Sequence, residues 1–329
     1  MRNFQIIMKK TSLIAALILC AAFSLRAQAP EGMTAAQLAG FSFRMPEIQS
    51  GQQFKDINYA GDGEVYHNLD IYLPKEVKAS YPVVIHIYGS AWFSNNSKGM
   101  ANLDSIGQAL LDAGYAVVAP NHRSSADAKF PAQINDIKAV IRFVRAKAAE
   151  YKFDTSFIAI SGFSSGGHLS SLAGATSNIK KAKVGEYDVD LEGSVGPYTS
   201  YSSAVDCVCD WSGPIDLLNM ECEWERPWGG TPEEALLGVE YNGQDDLFRT
   251  ISPITYLDPS DPPAIMFHGT KDNVVPHCQG VELYDAWKNC GIPTMLYLVE
   301  GAGHGINLFV KPWLSEMVEF VNVVRASKR

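Results

Sequence analysis

The stretch Phe157-Ile-Ala-Ile160 is followed directly by Ser161-Gly-Phe-Ser-Ser-Gly-Gly-His168. The first part is a short apolar run that predicts a buried β-strand, and the second is expected to begin a helix. Within it, Gly162–Gly166 has the pattern G-x-S-x-G. Between a strand and a helix this pattern is typical of a nucleophile elbow, whose central serine projects above the sheet edge. The stretch therefore predicts Ser164 as a nucleophile, and a Gly-Ser turn without chemistry is the alternative.

Strands and helices alternate on both sides of this elbow. Continuous apolar runs such as Tyr81–Tyr88 suit strands that are covered on both faces. Helices are expected at Asn102–Ala113, Ala132–Ala149 and Val310–Val324. The remaining expected strands are Asn58–Ala60, Leu69–Leu73, Tyr115–Ala119, Ala204–Asp210, Ala264–His268 and Met295–Val299. This alternation predicts an α/β fold with a mostly parallel, doubly wound sheet and helices on both faces.

The alternation breaks down between Ser177 and Arg249, which we interpret as loop insertions over the active site. The stretch is rich in Gly and Pro, and only one strand is expected within it. It mixes tryptophans and tyrosines with acids, a composition suited to stacking on sugar rings while bonding their hydroxyl groups. Trp92 and Trp211 are the candidate substrate-binding tryptophans, and ordinary core packing is the alternative for both.

Residues 1–27 have the features of a secretory signal peptide, so the folded domain is expected to cover 28–329. Lys9-Lys10 precedes an apolar run, Leu13–Leu25, and small residues follow it. The run is shorter than the roughly 20 residues that span a bilayer. The sequence therefore predicts an exported protein, periplasmic or secreted, without a membrane span. A lipoprotein anchored through Cys20 is the disfavoured alternative.

The composition of the chain argues against nucleic acid as a partner. The chain has 329 residues, 47% of them hydrophobic, and a formal net charge of −9. Removal of residues 1–27 takes away four basic and no acidic residues, which makes the net charge −13. Such an acidic chain has no basic surface for nucleic acid and is repelled by anionic lipid.

Five cysteines remain after the expected processing, so at least one thiol stays unpaired in an exported protein. Cys278 and Cys290 are expected on one helix, about 18 Å apart along its axis, which is too far for a disulfide. A bond from Cys207 or Cys209 to Cys222 stays open. A zinc site at these last three cysteines lacks a clear fourth ligand.

A serine nucleophile needs a base and an orienting acid, and in this fold both follow it in the chain. His304 lies in the Gly-rich loop Glu300–Gly305 after the last expected strand, where a base reaches across to Ser164. Asp272 follows the penultimate strand and is placed to accept the other ring N–H of His304. A helix cap is the alternative for Asp272, and Asp210 is the rival acid.

Several motifs together resemble the α/β-hydrolase esterases. They are similar to the secreted carbohydrate esterases that act on acetylated xylan or feruloyl esters, and to their hormone-sensitive-lipase-like relatives. The resemblance covers about residues 55–325 and implies Ser164 as nucleophile, Asp272 as acid and His304 as base. The motifs are Gly162–Leu169, Asp210–Asp216, Ser252–Thr255, His268–Asp272 and Gly301–His304.

One motif departs from this family. The family usually carries H-G-G-G-W after its third strand, and here the matching stretch is Tyr88-Gly-Ser-Ala-Trp92. Two glycines are lost, which restricts the backbone, and Tyr88 or His86 stands in for the usual histidine. We still expect an oxyanion hole formed by the amides of Ser165 and of Ser90 or Ala91.

These residues predict a secreted serine ester hydrolase that forms an acyl-enzyme. The expected substrate is a small-molecule or oligosaccharide ester from which an acetyl or feruloyl group is removed. No cofactor and no metal is expected, because no phosphate loop, dinucleotide motif or metal cluster stands in the sequence. A serine exopeptidase, a general lipase or esterase of the same fold, and a non-catalytic binding relative are the alternatives.

Overall fold

An eight-stranded sheet forms the centre of the fold in a computed structural model that describes residues 47–220 and 231–328. The strands of the fold are β1 Gln52–Asn58, β2 Asn68–Leu73, β3 Tyr81–Ile87, β4 Ala116–Pro120, β5 Phe153–Phe163, β6 Lys181–Val184, β7 Tyr187–Asp190, β8 Cys207–Trp211, β9 Ala264–Gly269 and β10 Thr294–Val299. Their order in the central sheet is β1-β2-β4-β3-β5-β8-β9-β10, and β6 and β7 form a separate hairpin.

The sheet is mostly parallel, as expected. β1 and β2 are antiparallel to each other, and β2 is antiparallel to β4. Every pairing from β4 to β10 is parallel. The loops that follow β3, β5, β8, β9 and β10 therefore leave the same edge of the sheet, where open α/β sheets place their sites.

Helices cover both faces of this sheet. Their bounds are α1 Gln108–Asp112, α2 Ala132–Ala146, α3 Ala148–Tyr151, α4 Ser165–Ala175, α5 Pro232–Leu237, α6 Asp245–Arg249, α7 Cys278–Asn289 and α8 Trp313–Ser327. The apolar stripe of α2 is fully buried, because a helix on a sheet must bury one face. Strands β3, β4, β8 and β9 are buried at every position. The core therefore consists of two apolar layers, one on each face of the sheet.

Some boundaries differ from the sequence expectation. β5 continues through Phe163, because its parallel pairing with β8 reaches Trp211. The helix expected at 102–113 is a π-helical turn, Leu103–Gly107, that continues as α1. The expected insertions contain three elements that were not predicted, the β6–β7 hairpin and the short helices α5 and α6.

The cysteines close one alternative that the sequence left open. Cys207 and Cys209 are free and buried on the central strand β8, so neither of them bonds to Cys222. Cys290 is also free, as expected for a residue that cannot reach Cys278. Cys278 is disulfide-bonded, and its partner lies outside the described residues.

Two further expectations fall largely outside the described part of the chain. The expected signal peptide, residues 1–27, lies before it, and residues 221–230 of the expected insertions are not described either. Within the described ranges, no helix is both long and apolar enough to cross a bilayer.

Candidate active site

Ser164 occupies the turn between β5 and α4 with φ 56° and ψ −124°. A non-glycine residue rarely adopts such a conformation, which costs of order 1–3 kcal/mol. The flanking glycines make the tight turn possible. A Cβ on Gly162 would lie 2.2 Å from the Gly166 carbonyl oxygen, and one on Gly166 would lie 2.3 Å from the Ile87 carbonyl oxygen. The G-x-S-x-G stretch therefore has the backbone geometry of a nucleophile elbow.

The backbone of Ser164 is held while its hydroxyl is left available. Its amide donates to the Trp211 carbonyl at 2.8 Å, and its carbonyl accepts from the His168 amide. The residue is 9% exposed. Among the described residues, no hydrogen bond joins its Oγ to another group.

Asp272 and His304 come together from the loops after β9 and β10. The two strands are parallel neighbours, so the loops leave the same edge of the sheet. His304 Nδ1 lies 2.7 Å from Asp272 Oδ2. The other carboxylate oxygen, Oδ1, accepts from the amides of Val274 and Val275 at 2.9 Å each. Asp272 is thus fixed by its own loop and is directed at His304.

A second histidine supports the same carboxylate. His268 Nε2 lies 2.9 Å from the Val275 carbonyl oxygen and 3.5 Å from Asp272 Oδ2. Burial alone would raise the pKa of Asp272, but electrostatic attraction to His304 and the hydrogen bonds from both histidines hold that pKa well below its usual range.

His304 also lies beside the elbow. Its ring centroid is 4.6 Å from that of Phe163, the residue before Ser164. The structure therefore brings the three predicted residues Ser164, Asp272 and His304 to one place, with the Asp–His hydrogen bond formed. The Ser164 to His304 hydrogen bond is not formed here, and such contacts are often long without substrate.

Asp210, the rival acid, is engaged elsewhere. Its Oδ2 accepts from Ser171 Oγ at 2.6 Å, and its Oδ1 accepts from the Gly213 amide at 2.8 Å. Burial raises its pKa, and these two hydrogen bonds offset that only in part. Asp210 joins α4 to the loop after β8, which is a structural role.

The loop after β3 turns sharply beside Ser164. Its turn closes with the Phe93 amide donating to the Ser90 carbonyl at 2.9 Å. Ala91 and Trp92 have φ values of 48° and 59°, the positive pair of a type I′ turn that glycine usually supplies. The Tyr88 hydroxyl donates to the Ser94 carbonyl at 2.9 Å and braces the loop from the other side.

Two of the three amides expected in the oxyanion hole are available. The Ala91 and Ser165 amides donate to no described residue. The Ser90 amide donates instead to Ser165 Oγ at 2.9 Å. A Cβ on Gly89 would lie 2.8 Å from Ser164 Cβ, so the start of this loop lies against the nucleophile.

The two expected substrate-binding tryptophans belong to the core, which corrects that prediction. Trp92 is 1% exposed, and its Nε1 donates to His168 Nδ1 at 3.3 Å. His168 Nε2 in turn lies 2.7 Å from the Ile251 carbonyl oxygen. Trp211 is 0% exposed and stacks on Phe267 with centroids 4.0 Å apart. Neither ring has a free face for a sugar.

Other ionisable side chains pair among themselves. His67 lies between Asp62 and Asp136, and Asp136 also binds Arg123 through both carboxylate oxygens. Over residues 47–220 and 231–328, no group of three or more His, Cys, Asp or Glu side chains is arranged to hold a metal ion.

Comparison with known proteins supports an esterase site. The BD-FAE family model matches residues 69–287. A solved structure described as a truncated carbohydrate esterase from gut microbiota is 46% identical, covering 85% of this chain and 99% of that one, with a TM-score of 0.82. A bifunctional GH43-CE protein from Bacteroides eggerthii is 49% identical, covering 84% of this chain and 36% of that one, with a TM-score of 0.81.

A curated relative shows the same similarity. Esterase LipQ of Mycobacterium tuberculosis is 29% identical over 266 residues, which is 80% of this chain. The match covers 59% of LipQ, so this chain spans less than two thirds of that relative's length. The family match, residues 69–287, spans the loop after β3, the elbow and Asp272.

Proposed function

Because the chain belongs to the BD-FAE family, we propose that it is a serine carboxylic-ester hydrolase with Ser164 as nucleophile, His304 as base and Asp272 as orienting acid. The observation that carries this proposal is the 2.7 Å contact of His304 with Asp272 beside a strained, available Ser164. A Gly-Ser turn without chemistry would need neither the strain nor the histidine.

The first half of the reaction acylates the serine. Asp272 is ionised and accepts from Nδ1 of His304, which leaves Nε2 of that ring with a free lone pair. Nε2 takes the Ser164 proton as Oγ bonds to the ester carbonyl carbon, and the carbonyl electron pair moves to oxygen. The Ala91 and Ser165 amides, together with the N-terminus of α4, stabilise that oxyanion. The oxyanion then re-forms the C=O bond, the ester C–O bond breaks, and Nε2 gives its proton to the departing oxygen, which leaves as the alcohol.

The second half of the reaction releases the carboxylic acid product. Nε2 of His304 takes a proton from water, and the resulting hydroxide bonds to the acyl carbon. The same amides stabilise the second oxyanion. As it re-forms C=O, the bond from the acyl carbon to Ser164 Oγ breaks, and His304 Nε2 returns its proton to that oxygen. Asp272 stabilises the imidazolium in both halves without taking its proton.

The proposed substrate is a carbohydrate ester with a short acyl group, most simply acetyl. Two similar structures are named as carbohydrate esterases or contain such a domain. The acidic chain disfavours adsorption to anionic lipid surfaces, which a lipase would need. With Trp92 and Trp211 buried, sugar binding falls to other groups on the insertions that follow β8.

Export is part of the same proposal. Lys9-Lys10 and the apolar run after it support a signal peptide in residues 1–27. The disulfide at Cys278 gives an independent reason, because such bonds persist in oxidising compartments. An exported esterase meets cell-wall polymers and their fragments rather than cytoplasmic thioesters.

A substrate panel tests this proposal. We would compare kcat/KM on acetylated xylo-oligosaccharide, on a methyl hydroxycinnamate, on a long-chain triglyceride and on an aminoacyl anilide. The proposal expects the acetylated oligosaccharide to be fastest. Preference for the hydroxycinnamate would move the enzyme to feruloyl esters, the triglyceride would indicate a lipase, and the anilide an exopeptidase. Inertness toward all four would contradict ester hydrolysis itself.

A further inference from the structure

The side chain of Ser165 lies in the gap between the elbow and the loop after β3. Its Oγ accepts the Ser90 amide hydrogen at 2.9 Å, although the two residues are 75 positions apart in the chain. Ser165 is 1% exposed. Its own hydroxyl hydrogen is donated to no described residue. This hydroxyl therefore accepts a hydrogen bond from Ser90 while its proton stays unused.

The position of this hydroxyl relative to the expected oxyanion follows from covalent geometry. A serine Oγ lies about 3 to 4 Å from its own amide nitrogen, depending on the rotamer, and the Ser165 amide is one of the expected oxyanion donors. The Ser90 amide, 2.9 Å from this hydroxyl, precedes the second expected donor, the Ala91 amide. The hydroxyl is thus flanked by the groups that surround the oxyanion.

Two consequences are possible for the oxyanion, and they have opposite signs. If the Ser165 hydroxyl only occupies the Ser90 amide, it removes a donor from the hole and its loss would speed the reaction. If the hydroxyl points its own proton at the oxyanion, it replaces that donor. The second arrangement leaves no buried polar hydrogen without a partner during the reaction, and such hydrogens are costly.

We propose that the Ser165 hydroxyl is a third oxyanion donor, which relays the Ser90 amide to the substrate oxygen. This inference rests on the ester hydrolysis proposed above. As Ser164 Oγ bonds to the carbonyl carbon, the C=O electron pair moves to oxygen, and the Ser165 O–H donates a hydrogen bond to it without transferring its proton. The hydrogen bond from Ser90 polarises that hydroxyl and makes it a stronger donor.

The relay also accounts for the altered loop motif. Ser90 and Ala91 stand where the related esterases usually carry glycines. With its amide engaged by Ser165, Ser90 no longer has to contact the oxyanion directly. Ala91 and Trp92 keep the positive φ values, 48° and 59°, of the turn that follows.

The test compares Ser165→Ala, which lacks the hydroxyl, with Ser165→Thr, which keeps it. We would measure kcat and KM on p-nitrophenyl acetate, the inhibition constant of a trifluoromethyl ketone that forms a tetrahedral oxyanion, and the melting temperature of each variant. The relay predicts that Ser165→Ala loses 10- to 100-fold in kcat with KM within about twofold. Its affinity for the ketone falls by a similar factor, and Ser165→Thr keeps most of both.

The contrary outcomes are distinct. An unchanged or raised kcat in Ser165→Ala overturns the relay and indicates that the hydroxyl only occupies the Ser90 amide. An equal loss in Ser165→Thr, with lowered melting temperatures in both variants, also overturns it and indicates a packing role. If the wild type shows no hydrolysis that depends on Ser164, the proposed function fails, and the relay fails with it.

Discussion

His304 Nδ1 lies 2.7 Å from Asp272 Oδ2, across the gap between the loops that follow β9 and β10. The contact fixes Nδ1 as the donor and leaves Nε2 without a hydrogen bond among the described residues. Phe163, directly before Ser164, packs on the same ring with centroids 4.6 Å apart. The Asp–His pair is thereby oriented before any substrate arrives, which is what a general base needs.

The first prediction concerns the orienting acid. Asp272→Asn should lower kcat by about a thousandfold or more, because the amide supports neither the tautomer of His304 nor the imidazolium. Steady-state kinetics on p-nitrophenyl acetate measure this loss. Asp210→Asn is the matched control, since Asn can still accept from the Gly213 amide, and it should keep most of the activity. The reverse pattern would make Asp210 the acid.

A second prediction concerns the tryptophan of the loop after β3. Trp92→Phe keeps a ring in the core but removes the hydrogen bond to His168, which is worth about 1 kcal/mol. The turn with two positive φ values should loosen, and kcat should fall about tenfold.

The control for Trp92→Phe is Trp287→Phe, which loses a comparable buried hydrogen bond to the Pro262 carbonyl away from the elbow. Thermal unfolding should show a similar loss of stability in both variants, while only Trp92→Phe loses activity. Equal kcat values in the two would refute a positioning role for Trp92.

The third prediction is a pH dependence of stability. Asp261 is buried, and burial raises its pKa to about 7. Between about pH 4 and 7 the folded state therefore binds more protons than the unfolded state, so this group lowers stability as the pH rises. Asp261→Asn should raise the free energy of unfolding by ~1–3 kcal/mol at pH 8 and by little at pH 4.

Asp258→Asn is the control, because its expected effect on stability at pH 8 is opposite to that of Asp261→Asn. The Ser260 hydroxyl and amide lower the pKa of Asp258, so its charge stabilises the fold above about pH 4. Its replacement should lower the melting temperature at pH 8. If Asp261→Asn gave the same shift at pH 4 and pH 8, the raised pKa of Asp261 would be refuted.

The fourth prediction concerns the glycine that begins the elbow. A Cβ at Gly162 would overlap the Gly166 carbonyl oxygen at 2.2 Å, and backbone cannot yield as a side chain can. Gly162→Ala should cost about 3 kcal/mol or more and should reduce soluble yield. Gly99→Ala, where a Cβ meets nothing within 4 Å, should be close to neutral. Denaturant titrations compare the two, and similar midpoints would contradict the tight elbow.

Much of this architecture follows from local signals in the sequence. The elbow was predictable because an apolar strand, two flanking glycines and a helix start are contiguous around Ser164. Asp272 and His304 were predictable because each lies in the loop after a recognisable strand, and the loops that follow parallel strands leave the same edge of the sheet. The β6–β7 hairpin also had a local signal, the alternation on both sides of Gly185, whose φ is 56°, but the surrounding glycines and prolines obscured it.

The contacts that could not be predicted join distant segments. Trp92 and His168 are 76 positions apart, and Ser90 and Ser165 are 75 apart. No periodicity relates such pairs. Composition also does not show whether a tryptophan side chain packs in the core or faces the site. For this reason Trp92 and Trp211 were expected at a sugar-binding surface. Burial of both rings follows from packing that only the assembled fold defines.

The central claim is that Ser164 performs covalent catalysis, and one variant tests it most directly. We would measure kcat/KM of Ser164→Ala on p-nitrophenyl acetate beside the wild type, with intact mass after treatment by a fluorophosphonate. The account predicts a loss of at least about ten-thousandfold, an unchanged melting temperature, and a single phosphonate adduct that the variant lacks. A variant that kept most of its activity, or that still formed the adduct at another serine, would contradict the account.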